Sequence, residues 1–274
     1  MMSMPHSHKG LLLFVLSVAI GLTGSQTYAQ TASRSGAAAA QSSPGDQKIA
    51  ANSKAGHTTF LLFYRGNDQL TQTVYQTLKS GASKRKDAAI LPIQVDDRAE
   101  RGLIERFDIT RTPLPAIVSL APNGAVTGVF SQQIKPEEVD GAVVSAGYAK
   151  CIKAMQSGQI VLLCVQPATR GFVPKGVQDF QADRLYRERT QVVNISATDP
   201  GEALFVKQLG LNARSASPQV VFMAPPGVML GAYDANVTHA ALATKLASAG
   251  KCCDDKNCKH NPRTATGASS TTTR

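Results

Sequence analysis

One block of this chain occurs twice. Residues 115–130 read PAIVSLAPNGAVTGVF, residues 218–233 read PQVVFMAPPGVMLGAY, and the two align without a gap. In each, a proline opens an apolar run, an Ala-Pro turn carries a glycine, and a second run follows. Both copies then reach Ser-Ala-Gly, at 145–147 and 248–250, which the alignment reads as the end of a closing helix. Agreement at so many separated positions is the mark of duplication, so the chain is expected to fold as one domain built twice.

The pattern within each copy is α/β. In the first, residues 59–64 form an apolar run read as a buried strand. Asn67 and Asp68 can cap a helix whose Leu70, Val74 and Leu78 fall on one face. A second strand is expected over 89–95, a helix over 98–107, a hairpin of strands 116–120 and 125–130, and a closing helix over 136–146. The second copy repeats the order: strand 159–165, helix 177–187, strand 191–195, helix 201–209, strands 219–223 and 228–233, and helix 238–249. Such alternation ending in a hairpin implies a mixed central sheet flanked by helices. A connector carrying Cys151 is expected to join the copies.

These residues resemble the thioredoxin family. The signature Val-Asp at the end of the second strand is Val95-Asp96, the proline before the third strand is Pro115, and the hairpin turn is Pro122-Asn123-Gly124. The second copy offers Asp199, Pro218 and Pro225-Pro226-Gly227 in the corresponding places. The resemblance implies two thioredoxin-like domains in tandem, similar in plan to the inactive middle domains of protein disulfide isomerases. It also implies a Cys-x-x-Cys at the start of the helix after the first strand, where helix dipole and free amides favour a thiolate. The first copy reads Arg65-Gly66-Asn67-Asp68-Gln69-Leu70 there, without sulfur, and the second reads Val165-Gln166-Pro167-Ala168-Thr169-Arg170-Gly171. The nearest thiol, Cys164, lies within a strand; it reads as a buried apolar side chain and, as a nucleophile, would lack a resolving partner.

By the same resemblance, Pro115 and Pro218 correspond to the family's cis-proline. Leu114 and Ser217 before them would edge a groove that pairs with an extended peptide. Either that groove binds without chemistry, or the cis bonds only turn the chain. Pro113 leaves open which proline of its pair is cis.

The five cysteines include three in the segment 251–260, KCCDDKNCKH. Cys252, Cys253 and Cys258, with Cys151, are disulfide or redox candidates in an oxidising compartment. Cys252, Cys253, Cys258 and His260 together form an alternative zinc or copper site, since thiolates with an imidazole suit those ions. A structural disulfide, a metal site and a mobile redox tail all remain open, and no cofactor is otherwise expected. His57 and His239 read as isolated surface histidines.

Lys9, the apolar run 11–22 and small residues ending at Ala29 read as a secretory signal, 1–29, too short to span a membrane. Residues 30–57 are expected to be a flexible Ala/Ser-rich leader, 58–150 and 158–250 the two domains, and 251–274 a Cys-rich segment with a disordered tail. The balance is basic, 29 Lys and Arg against 19 Asp and Glu, but its clusters lack interleaved aromatics and read as solvated faces, not a nucleic-acid surface. The sequence therefore points to a periplasmic or secreted, non-catalytic binding or scaffold protein for an envelope protein or peptide. The alternative is a thiol-disulfide oxidoreductase or metal-binding protein using the terminal cysteines.

Overall fold

The computed structural model describes residues 42–167 and 172–249. The expected signal, most of the leader, Cys252, Cys253, Cys258 and His260 lie outside the described residues. The first half runs α1 (Pro44–Lys54), β1 (Thr58–Tyr64), α2 (Gln69–Ala82), β2 (Ala88–Gln94), α3 (Arg101–Arg106), β3 (Ala116–Leu120), β4 (Val126–Ser131) and α4 (Pro136–Ala142). The second repeats it with α5 (Ala146–Gln156), β5 (Ile160–Gln166), α6 (Lys175–Ala182), β6 (Thr190–Ser196), α7 (Ala203–Gln208), β7 (Gln219–Ala224), β8 (Val228–Asp234) and α8 (His239–Ala249).

Each half forms its own four-stranded sheet, in the orders β2-β1-β3-β4 and β6-β5-β7-β8. The first pair of strands is parallel and the other pairs antiparallel. β1 is apolar along its length because both its faces are covered. Leu61 and Phe63 pack with Leu103 and Ile104 of α3, while Phe60 and Leu62 pack with Val74 and Leu78 of α2 and Val139 of α4. Burying each such side chain contributes about 1.5–3 kcal/mol. β5 divides its side chains in the same way, Val161 and Leu163 against α5 and α7, Ile160 and Leu162 against α6 and α8. Pro92 sits in β2, an edge strand, where a missing N–H is tolerated.

Two expectations fail at the starts of the domains. Residues 44–54 are not part of a flexible leader but form α1, capped by the Ser43 side chain, which accepts from Asp46 N–H. Long-range anchors order this polar segment: Glu100 accepts from Gly45 N–H at 2.8 Å, Asn52 donates to Thr59, and Arg106 pairs with Asp46. Likewise Ser145-Ala146-Gly147 does not end a helix. Ser145 caps α5, which packs on the second sheet, and α4 has already ended at Ala142. The Ser-Ala-Gly match therefore joins the start of one helix to the end of another. Cys151 lies not in a connector but inside α5.

The true equivalence is a Ser-x-Gly pair with a distant carboxylate. Gly45 N–H donates to Glu100 and Gly147 N–H to Glu202, each across 55 positions. Only glycine fits, because a Cβ on Gly45 would lie 2.5 Å from a Glu100 oxygen and one on Gly147 2.8 Å from a Glu202 oxygen. The carboxylates satisfy helix-start amides that have no partner within the helix.

The halves meet where α5 docks on the β3–β4 turn. Asn123 donates to the Ala149 carbonyl at 2.8 Å, and the Gln156 amide pairs with both main-chain groups of Val126. Ala121, Ala125 and Ala149 close an apolar contact with Val144 and Ile152.

Candidate functional site

At the first copy's expected redox position, β1 ends at Tyr64 and α2 begins at Gln69. Asp68 caps that helix: its Oδ1 accepts from Thr71 N–H at 2.7 Å, and this bond, with the Thr71 side chain, holds the Asp68 carboxyl below the usual carboxylate range. A carboxylate thus occupies the helix start that would otherwise lower a thiol's pKa. Arg65 stands 3.8 Å from Asp96 across the neighbouring turn, and both are largely exposed, so this pair contributes little.

The proline edge lies alongside. Ala116 is paired with Phe63, which places Pro115 and Leu114 next to Tyr64 and Arg65. The Leu114-Pro115 bond is cis, which decides between Pro113 and Pro115. Main-chain groups on either side are taken: Gln132 N–H donates to the Pro115 carbonyl at 2.7 Å and the Ser131 hydroxyl to the Pro113 carbonyl at 3.0 Å. Among the described residues, the N–H and carbonyl of Leu114 have no hydrogen-bond partner.

The second copy does not reproduce this edge. Ser217-Pro218 is not among the cis bonds; the second cis bond is Pro225-Pro226, in the hairpin turn. The Ser215 side chain explains the difference in availability, since it accepts from Ser217 N–H at 3.2 Å and donates to the Ser217 carbonyl at 2.9 Å. Ser217 and Pro218 therefore form no open groove equivalent to Leu114 and Pro115. Residues 168–171 of the facing loop lie outside the described residues; α6 begins after Pro174, which supplies no side-chain cap.

Both described cysteines are free and buried. Cys164 packs between β5 and α6, as its place in the strand predicts, and burial pushes its thiol up to about 12. Cys151 corrects the sequence reading: it faces the second core with Val161 and Phe205, and burial, reinforced by Glu202, pushes it up to about 12. His239 is not isolated, because its Nε2 lies 2.9 Å from Asp183 Oδ2, next to Phe180 and Tyr186. Among the described residues no three His, Cys, Asp or Glu side chains are grouped to hold a metal, and no helix is long and apolar enough to cross a membrane.

A cleft of about 700 Å³ runs between the halves, and two of its charged side chains are engaged. Arg85 is held by Asp87 and Asp140, and Glu202 by Gly147 and the Ser145 hydroxyl. What remains open is the first copy's proline edge.

In each half a parallel pair at one edge of the sheet, an antiparallel hairpin at the other and helices on both faces define the arrangement. Both halves have the thioredoxin fold. The chain is similar to the germline-specific thioredoxin Deadhead of Drosophila melanogaster, with 22% identity over 36% of this chain and 90% of that one, at a TM-score of 0.29. It is similar to the first two thioredoxin domains of Saccharomyces cerevisiae Eps1p, with 10% identity over 75% of this chain and 93% of that one, at a TM-score of 0.26. The N-terminal domain of the alkylhydroperoxide reductase AhpF from Enterococcus faecalis is a third, with 17% identity over 67% and 89% and a TM-score of 0.27. No protein-family model and no curated protein matches the chain.

Proposed function

We propose that this chain is an exported, non-catalytic thioredoxin-fold binding protein that holds an extended segment of an envelope protein or peptide along the first domain's proline edge. The observation that carries the reading is the main chain of Leu114, unpartnered among the described residues, beside a helix start whose thiol position is taken by Asp68. One free N–H and one free carbonyl are what an extended peptide needs to add itself as a short strand. Redox exchange has no sulfur to use there. The occupied backbone of Ser217 makes the second domain a support and not a second copy of the site.

The test uses reduced, carboxymethylated lysozyme, an unfolded chain without thiols, titrated into the protein and followed by amide NMR. The Leu114 amide is expected to shift strongly and the Ser217 amide to stay in place. Leu114→Asp is expected to weaken binding about tenfold, equivalent to about 1.4 kcal/mol. Unchanged affinity in that variant, or an equal response at Ser217, counts against the site.

A further inference from the structure

At the internal junction the first helix of the second domain sits on the hairpin of the first. α5 does this to the β3–β4 turn, leaving Ala121 and Ala125 with 3% and 0% of their surface. The strand register carries these positions onto the β7–β8 turn, because both hairpins bulge at the same place and the pair Leu120 with Val126 corresponds to Met223 with Met229. Ala125 then corresponds to Val228. In the second domain this surface is open: Val228 is 52% and Met229 43% exposed, beside an apolar hollow of about 300 Å³ bordered by Ile152, Met155 and Pro226.

The other half of the junction is uncovered as well. α1 and α5 align through Gly45 and Gly147, so the docking face of α5, with Ala149, Ile152, Lys153 and Gln156, corresponds to Gln47, Ala50, Ala51 and Lys54. All four α1 residues are exposed.

We infer that copies of this chain associate head to tail, α1 of one lying on the β7–β8 hairpin of the next. A second copy is the occupant because the chain carries both halves of a junction it has already formed once within itself, and among the described residues nothing covers either remaining half. The contact between copies is drier than the internal one. Asn123, which bonds to α5, corresponds to Pro226, and Lys153, which donates to the Gly124 carbonyl, corresponds to Ala51. Attraction comes from Val228 and Met229 against Ala50, Ala51 and the Lys54 stem. Each chain uses one face and leaves the other free, so growth continues unless the rotation closes a ring. A patch this small gives weak, concentration-dependent association.

Sedimentation velocity of the purified protein, with reductant present to silence Cys252, Cys253 and Cys258, tests this. The weight-average sedimentation coefficient is expected to climb steadily with concentration. Ala51→Glu and Val228→Glu, both at exposed positions, are each expected to abolish the climb with an unchanged circular dichroism spectrum. An equimolar mixture of the two is expected to form heterodimers and stop, since one variant keeps an intact helix face and the other an intact hairpin. A wild-type protein that stays monomeric overturns the proposal. So does a mixture that stays monomeric, or loss of association on Val228→Glu alone, which would mean that something other than α1 covers the hairpin.

Discussion

Glu202 and Glu100 hold equivalent places, 5% and 6% exposed, yet the structure gives them unequal work. Glu202 accepts from Gly147 N–H at 2.7 Å and from the Ser145 hydroxyl at 2.6 Å, so both its oxygens are used. Glu100 accepts only from Gly45 N–H, because the Ser43 hydroxyl turns to Asp46, and Glu100 Oε2 is buried without a partner. Hydrogen bonds to a charged group are worth about 1.5–3 kcal/mol each, and a buried unpartnered oxygen costs about 1–3 kcal/mol. Glu202→Ala removes two bonds and strands the buried Gly147 N–H, for a loss of about 3 kcal/mol or more. Glu100→Ala removes one bond but also relieves the stranded oxygen, for a net loss of about 1 kcal/mol. At about 2–4 °C per kcal/mol for a chain of this size, thermal unfolding followed by far-ultraviolet circular dichroism should fall by about 6–12 °C for Glu202→Ala and about 2–4 °C for Glu100→Ala. If Glu100→Ala costs as much as Glu202→Ala, the unequal satisfaction of the two carboxylates is not what sets their value, and the reasoning fails.

Three further outcomes follow from ionisation. With Cys252, Cys253 and Cys258 changed to Ser, the native protein should neither react with a disulfide reagent at neutral pH nor reduce insulin, because Cys151 and Cys164 are buried with pKa values pushed up to about 12; rapid native labelling would refute their placement. Their raised values stabilise the fold fully below 9.0, with that contribution lost as pH rises towards about 12, so the urea midpoint should fall over that window. Asp183 is depressed from 3.8 first by the Leu185 N–H and then by His239, so its contribution is present above 3.8 and lost as pH falls through its lower folded value. A carbon-detected NMR titration of His239→Ala should still find Asp183 below 3.8, and a return to that value would show that the histidine, not the amide, is the main cause.

The alternation of apolar runs and polar helices was enough to determine the doubled α/β plan, because a strand covered on both faces must be apolar throughout, as Phe60 to Phe63 are. The lack of sulfur between Arg65 and Leu70 was equally plain, since a thiol is a residue type and needs no geometry to be missed. Tertiary structure decided the rest. α1 is polar enough to pass for a leader, and contacts to Glu100, Arg106 and the Pro122 carbonyl, all distant in sequence, help to fix it; the repeated Ser-x-Gly and glutamate spacing is the signal for this in the sequence. Cys151 reads as part of a connector because nothing local in the sequence shows that α5 begins the second domain. Leu114 and Ser217 looked equivalent in the alignment, but hydrogen bonding depends on where a neighbouring hydroxyl points, and Ser215 satisfies one backbone while the other stays free. Local pattern thus fixed which segments could be strands and helices, whereas the pairing of buried polar groups across the fold determined which helix begins a domain and which edge remains open.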